Sequence, residues 1–169
     1  MKFKLGPFRL LSTAIVAILV VSSTGLGVVA QRNLASAKAI ESRSGSRDAV
    51  VDVAREAAVA FTSYDYRSLG QTFSRVQAVA TKDFAQRFAQ ASNQLKPLIR
   101  KKKASSTGRV LAVAVQDDPN RNSAAVLVAA DATVRNTDVP QGAVQRFRLR
   151  LELKREGHEW LVQEITPVV

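Results

Sequence analysis

The chain has 169 residues, no cysteine and a single histidine, His158. A disulfide framework, a thiolate metal site and a cysteine nucleophile are therefore excluded, and no second histidine exists to share a metal. The net charge is +11, but residues 1–40 hold Lys2, Lys4, Arg9, Arg32 and Lys38 and no acid, so the remainder carries only +6 with signs interspersed; that suits solubility and attraction to anionic surfaces, not the dense, aromatic-laced patch of a nucleic-acid binder.

Residues 1–9 form a short basic tail, and from Leu10 to Ala30 there are 21 residues without a charge. At about 1.5 Å per helical residue this stretch spans a bilayer's hydrocarbon core of about 30 Å. It predicts an uncleaved membrane anchor, because the hydrophobic region of a typical signal peptide is shorter, about 7–15 residues. Cleavage near Val28-Val29-Ala30 or Ala35-Ser36-Ala37 stays open as the rival reading. Positive charges flank the span on both sides, and their higher density on the short tail places the N-terminus in the cytoplasm and the domain outside. Ser23 and Gly27, four residues apart on one helix face, are candidates for close packing against another membrane helix.

Residues 31–47 are polar, serine-rich and basic, and read as a linker broken at Gly45. The domain is expected over 48–169. A first helix from Asp48 places Val50, Val53, Ala54, Ala57, Phe61 and Tyr64 on one stripe and ends in Tyr64-Asp65-Tyr66-Arg67. A short second helix runs from Gln71 to Val79 and buries Phe73 and Val76. Thr81 caps a third helix, Lys82 to Arg100, with the stripe Phe84, Phe88, Ala91, Leu95 and Leu98 or Ile99, and Pro97 in its last turn. The basic run Arg100–Lys103 sits at the negative end of that helix dipole.

From Ser105 the hydrophobic period changes from helical to two. Four strands are predicted: Thr107–Gln116, Ala124–Asn136, Val144–Arg155 and Glu159–Ile165. Turns fall at Asp117-Asp118-Pro119-Asn120, at 137–142, and at Glu156-Gly157 beside His158. Phe147, Leu149, Leu151 and Leu153 share one face of the third strand, and Arg146, Arg148 and Arg150 share the other. On the fourth, Trp160 and Val162 are set opposite Leu161 and Ile165. Helices followed by consecutive antiparallel strands give an α+β fold, with the helices packed on a curved sheet of about four strands.

No nucleotide-binding, hydrolase or zinc motif is present. The Arg146, Arg148 and Arg150 stripe is a candidate surface for an acidic partner or lipid headgroups. Tyr64, Asp65, Tyr66 and Asp131 are the candidates for a pocket. Parity places Asp131 with Leu127, Ala129 and Thr133, opposite Val126, Val128 and Ala130, and an outward aspartate is the favoured reading.

The ordered set of tail, span, YDYRSL (64–69), TKDFAQRFA (81–89), ASSTGRV (104–110), TVRNTD (133–138) and WLVQEITPV (160–168) resembles the Mce-associated membrane proteins of mycobacteria and related actinobacteria. The resemblance implies an NTF2-like (cystatin-like) extracytoplasmic domain, also seen in VirB8-type secretion components, on a single-pass membrane protein. It implies a non-enzymatic accessory or stabilising subunit of Mce-type lipid import, with Mce-family proteins and YrbE-like permeases as partners. It carries over no catalytic residue, metal or cofactor. Two other functions stay open, a VirB8-like scaffold of a secretion or conjugation machine and an NTF2-like small-ligand domain.

Overall fold

Helix α1 covers residues 45–62 of the computed structural model, which describes residues 45–116 and 122–168. It is already helical at Gly45, three residues ahead of the expected start. Val50, Ala54, Ala57 and Ala58 recur at helical spacing and are fully buried, so the predicted stripe is the packed one. Small alanines there let the helix lie close to the sheet. The helix stops at Thr62, whose Oγ1 donates to the Ala58 carbonyl at 2.7 Å. Among the described residues no helix is long and apolar enough to cross a membrane. The Leu10–Ala30 segment with Ser23 and Gly27, and the Asp117–Asn120 turn, lie outside the described residues.

The chain does not continue helically through Tyr64-Asp65-Tyr66. Tyr64–Asp65 form strand β1, paired antiparallel with Ser106 and Ser105. Two features pull the chain out of the helix. Ser106 Oγ donates to the Thr62 carbonyl at 2.6 Å, and the Gly108 N–H donates to Ser63 Oγ at 3.0 Å. Gly108 makes the approach feasible, because a Cβ there would collide with Thr62 Oγ1 and stand 2.8 Å from its Cβ. Among the described residues the sheet therefore has five strands, not the expected four.

Helix α2 is Leu69–Ala78 and buries Leu69, Thr72 and Val76. Phe73 is only half-buried, with its ring edge-on to Phe88 at 5.7 Å. Helix α3 is Lys82–Lys101, and Thr81 caps it as predicted, accepting from the Phe84 N–H. The helix runs through Pro97 without ending. Its predicted stripe weakens in the second half: Ala91 is exposed, Leu95 and Leu98 are 53% and 55% exposed, and of the Leu98 or Ile99 alternatives it is Ile99 that is half-buried. Phe84 and Ser92 are the buried residues of α3, so the sheet and α2 support the helix only through its first half.

Strands β2 (Ser105–Val115), β3 (Ser123–Arg135), β4 (Ala143–Glu156) and β5 (Glu159–Pro167) complete an antiparallel meander in the order β1-β2-β3-β4-β5. Register shifts between Val110 and Ala112 and between Glu152 and Leu153 curl it. The second shift corrects the face assigned to Ile165. Val162 pairs with Leu153 and Glu164 with Glu152, so Gln163 is the extra residue, parity flips, and Ile165 joins Trp160 and Val162 in the core. The outer edge of β5 is covered by the chain before α3: the Val162 N–H donates to the Val79 carbonyl at 2.8 Å and its carbonyl accepts from the Thr81 N–H at 2.9 Å. The concave face is filled by Val126, Val128, Leu149, Leu151 and Leu153 packed against the α1 alanines, Val76 and Phe84. Burying each of the larger of these side chains stabilises the fold by about 1.5–3 kcal/mol.

Candidate functional site

Because side chains alternate along a strand, filling the concave face fixes what the convex face presents. On β4 it presents Arg146, Arg148 and Arg150, all exposed, as the stripe predicted. Their cross-strand neighbours on β3 are Asp131, Ala129 and Leu127 respectively. Next in line on β2, Leu127 faces Ala114, Ala129 faces Ala112 and Asp131 faces Arg109. The small alanines leave a depression of about 210 Å³, lined by Ala112, Ala114, Leu127, Ala129, Arg148 and Val168 among others. Sequence reasoning found the arginines and missed this apolar floor. The signal was present in LAVAV and VLVAA, which are apolar at both parities, whereas β4 alternates cleanly.

The three arginines are not equivalent. Arg150 reaches over β3 to the residue just after β2, where its Nη1 donates to Gln116 Oε1 at 2.8 Å, and its Nε lies 3.5 Å from Glu152. Arg146 stands across from Asp131 in register, with Arg109 on the other side of Asp131, but neither arginine forms an ion pair with it among the described residues. Arg148 makes no ion pair or side-chain hydrogen bond among the described residues. Asp131 is thus the outward aspartate near basic neighbours, on the sheet face opposite the core.

The pocket candidates separate. Tyr64 and Asp65 line an open cleft of about 290 Å³ together with Ser68, Arg75, Ser105 and Thr107. Tyr66 is not in that lining, and the Arg67 guanidinium lies 4.9 Å from its ring centre. Asp131 is on another part of the sheet, so the four residues do not form one site. Burial raises the Tyr64 phenol above its ordinary value of 10.0, which keeps it a neutral donor. The Asp65 carboxylate accepts from the Arg67 N–H at 2.8 Å and sits 3.7 Å from its guanidinium. That is a turn-closing contact. His158 is exposed in the β4–β5 turn, beside Gly157 at φ 62°.

The family model described as "Uncharacterized protein Rv1363c/MT1408-like" matches residues 10–166. A relative from Mycobacterium tuberculosis (strain ATCC 25618 / H37Rv), "Uncharacterized protein Rv1362c", is 28% identical over 126 residues, which are 74% of this chain and 57% of the relative. The chain thus spans about half the length of the curated relatives it matches. Among solved structures, the periplasmic domain of DotI superposes with a TM-score of 0.61 at 15% identity, covering 72% of this chain and 94% of that one. CagV, a VirB8 homolog of T4SS from Helicobacter pylori strain 26695, gives 0.57 at 10% identity, covering 72% and 97%. These likenesses establish the fold as the NTF2/VirB8-like α+β type with a curled antiparallel sheet. The names of the relatives do not state the Mce association that the sequence resemblance implies.

Proposed function

The chain belongs to the Rv1363c/MT1408-like family, and on that premise we propose that its domain is a non-enzymatic scaffold that docks other subunits of an envelope assembly. In this reading the Leu10–Ala30 segment anchors it, with the N-terminus cytoplasmic and the domain extracytoplasmic. The observation that carries the proposal is the contrast between the two sheet faces. The concave face, where an NTF2-like enzyme would need a cavity with a partnered acid or base, is packed with aliphatic side chains. The convex face of β2–β4 offers an apolar depression beside an uncompensated arginine, which is what a docking surface needs. The VirB8-like fold supports the same use, since CagV is described as a VirB8 homolog of a T4SS.

The test is crosslinking and co-purification of the full chain from native membranes. The expected result is recovery with a defined set of envelope subunits, lost when the anchor is removed. Recovery of Mce-family proteins and YrbE-like permeases would specify a lipid-import assembly. Recovery of secretion-type subunits would specify a VirB8-like one. A chain that purifies alone after crosslinking would refute the scaffold reading.

A further inference from the structure

We infer that the convex groove receives a segment of a partner protein that seats one apolar side chain among Ala112, Ala114, Leu127, Ala129 and Val168 and sets a carboxylate on Arg148. This inference rests on the scaffold reading and names the chemistry of the partner.

A depression of about 210 Å³ is below the about 300–1,000 Å³ of small-molecule sites. It matches a single large aliphatic or aromatic side chain, the kind of anchor that dominates protein interfaces.

The sequence pattern points the same way. Strands that are apolar on both faces are characteristically covered on both. β2 and β3 are apolar at both parities around Ala112–Val115 and Ala125–Ala130, yet no described element covers their convex side. Leu127 stays 37% and Val168 42% exposed as a result.

The Arg150 guanidinium, one step along the stripe, is used internally by its hydrogen bond to Gln116. One step the other way, Asp131 stands between Arg109 and Arg146. Arg148, in the groove wall itself, faces Ala129 and not an acid across the strands, makes no ion pair or side-chain hydrogen bond among the described residues, and has a planar fork that suits a carboxylate. A second copy of this chain docked face to face would set arginine stripe against arginine stripe, so the charge favours an acidic partner over self-association.

The test uses the full chain in nanodiscs and three fluorescent nonapeptides, alternating leucine–glutamate, leucine–lysine and serine–glutamate. Saturable binding is expected for the leucine–glutamate peptide alone. Arg148→Glu and Ala129→Trp, which fills the groove, should each weaken it by about tenfold or more. Lys154→Glu, the same charge change on the same face but outside the groove, should leave it within about twofold. No saturable binding, equal binding of the serine–glutamate peptide, or an Arg148→Glu chain that binds as the unaltered one would each overturn the inference. Circular dichroism checks that the variants fold. Co-purification separates the two levels of the argument: a subunit set that survives both Arg148→Glu and Ala129→Trp refutes the groove but keeps the scaffold, whereas the absence of any subunit set refutes the scaffold itself.

Discussion

Along β4, Leu149, Leu151 and Leu153 are at most 2% exposed, while Arg146, Arg148 and Arg150, one residue out of step with them, stand in solvent. The same strand therefore answers to two different demands. The inward set is held by packing, where each lost methylene is felt because the helices cannot collapse onto the gap. The outward set is free of such demands, and its composition reflects what it meets outside the fold. Substitutions that distinguish stability from association test whether this division holds.

The largest effect on stability is expected from Leu151→Ala, at 0% exposure in the centre of the core. It should cost about 2–5 kcal/mol in urea unfolding. Leu127→Ala, on the convex face of the neighbouring strand, should cost only about 1–2 kcal/mol, because Leu127 is already 37% exposed. Equal costs at the two sites would break the division, since they would mean that the chain itself covers its convex face.

Next in size is Gly108→Ala, where the new Cβ would have to displace Thr62. Overpacking of this kind costs about 1–3 kcal/mol. The clash lies between two named groups, so Thr62→Ala should relieve part of it, and the double variant should lose less than the sum of the single losses. Strict additivity in thermal unfolding would show that the α1–β2 contact tolerates a wider spacing than the structure gives it.

How much of this was legible in the sequence depends on what each signal measures. Period-two alternation in β4 fixed its two faces, and helical spacing fixed the buried stripe of α1, because one dominant cover lies on each. Thr81 was legible because its cap is local. Strand β1 was not, since two residues hold no period and their pairing depends on Ser105 and Ser106, some forty residues away. Ile165 was misplaced because a register shift changes parity without leaving a mark in composition. The stripe of α3 named a face correctly but not how far the support beneath it extends, so Leu95 and Leu98 emerged exposed. The groove was hidden for a related reason. The apolar parity was written in LAVAV and VLVAA, but alanine's small size makes a depression only where three strands set it beside larger side chains.

Arg148→Glu should change stability by less than about 0.5 kcal/mol, as for other exposed positions without special contacts. Arg150→Glu should cost slightly more, because it removes the hydrogen bond to Gln116. For docking the order should be reversed, with Arg148→Glu the more damaging. The two measurements, chemical denaturation and co-purification, ask the same residues opposite questions. If Arg150→Glu proved the more damaging in both, the stripe would act through its internal bonds and not through a free guanidinium.

The smallest effect concerns a cation that already has its partner. Lys102 Nζ lies 2.8 Å from Asp138 Oδ2, at the junction of α3 with the loop before β4. The hydrogen bond from Lys102 holds the Asp138 carboxyl below its ordinary value of 3.8. A carboxyl depressed in the folded state stabilises the fold above its unfolded value, and that contribution is lost as pH falls through the folded value. The difference in stability between the unaltered chain and Lys102→Met should therefore be present at neutral pH and vanish in acid, with the Asp138 titration seen by NMR moving back up in the variant. Both groups are exposed, so the effect on stability is slight. Its value lies in the contrast with Arg148. If placement and availability matter more than positive charge as such, Lys102→Met leaves co-purification intact. If it weakens docking as much as Arg148→Glu does, the domain attracts its partner through overall charge, and the groove loses its special claim.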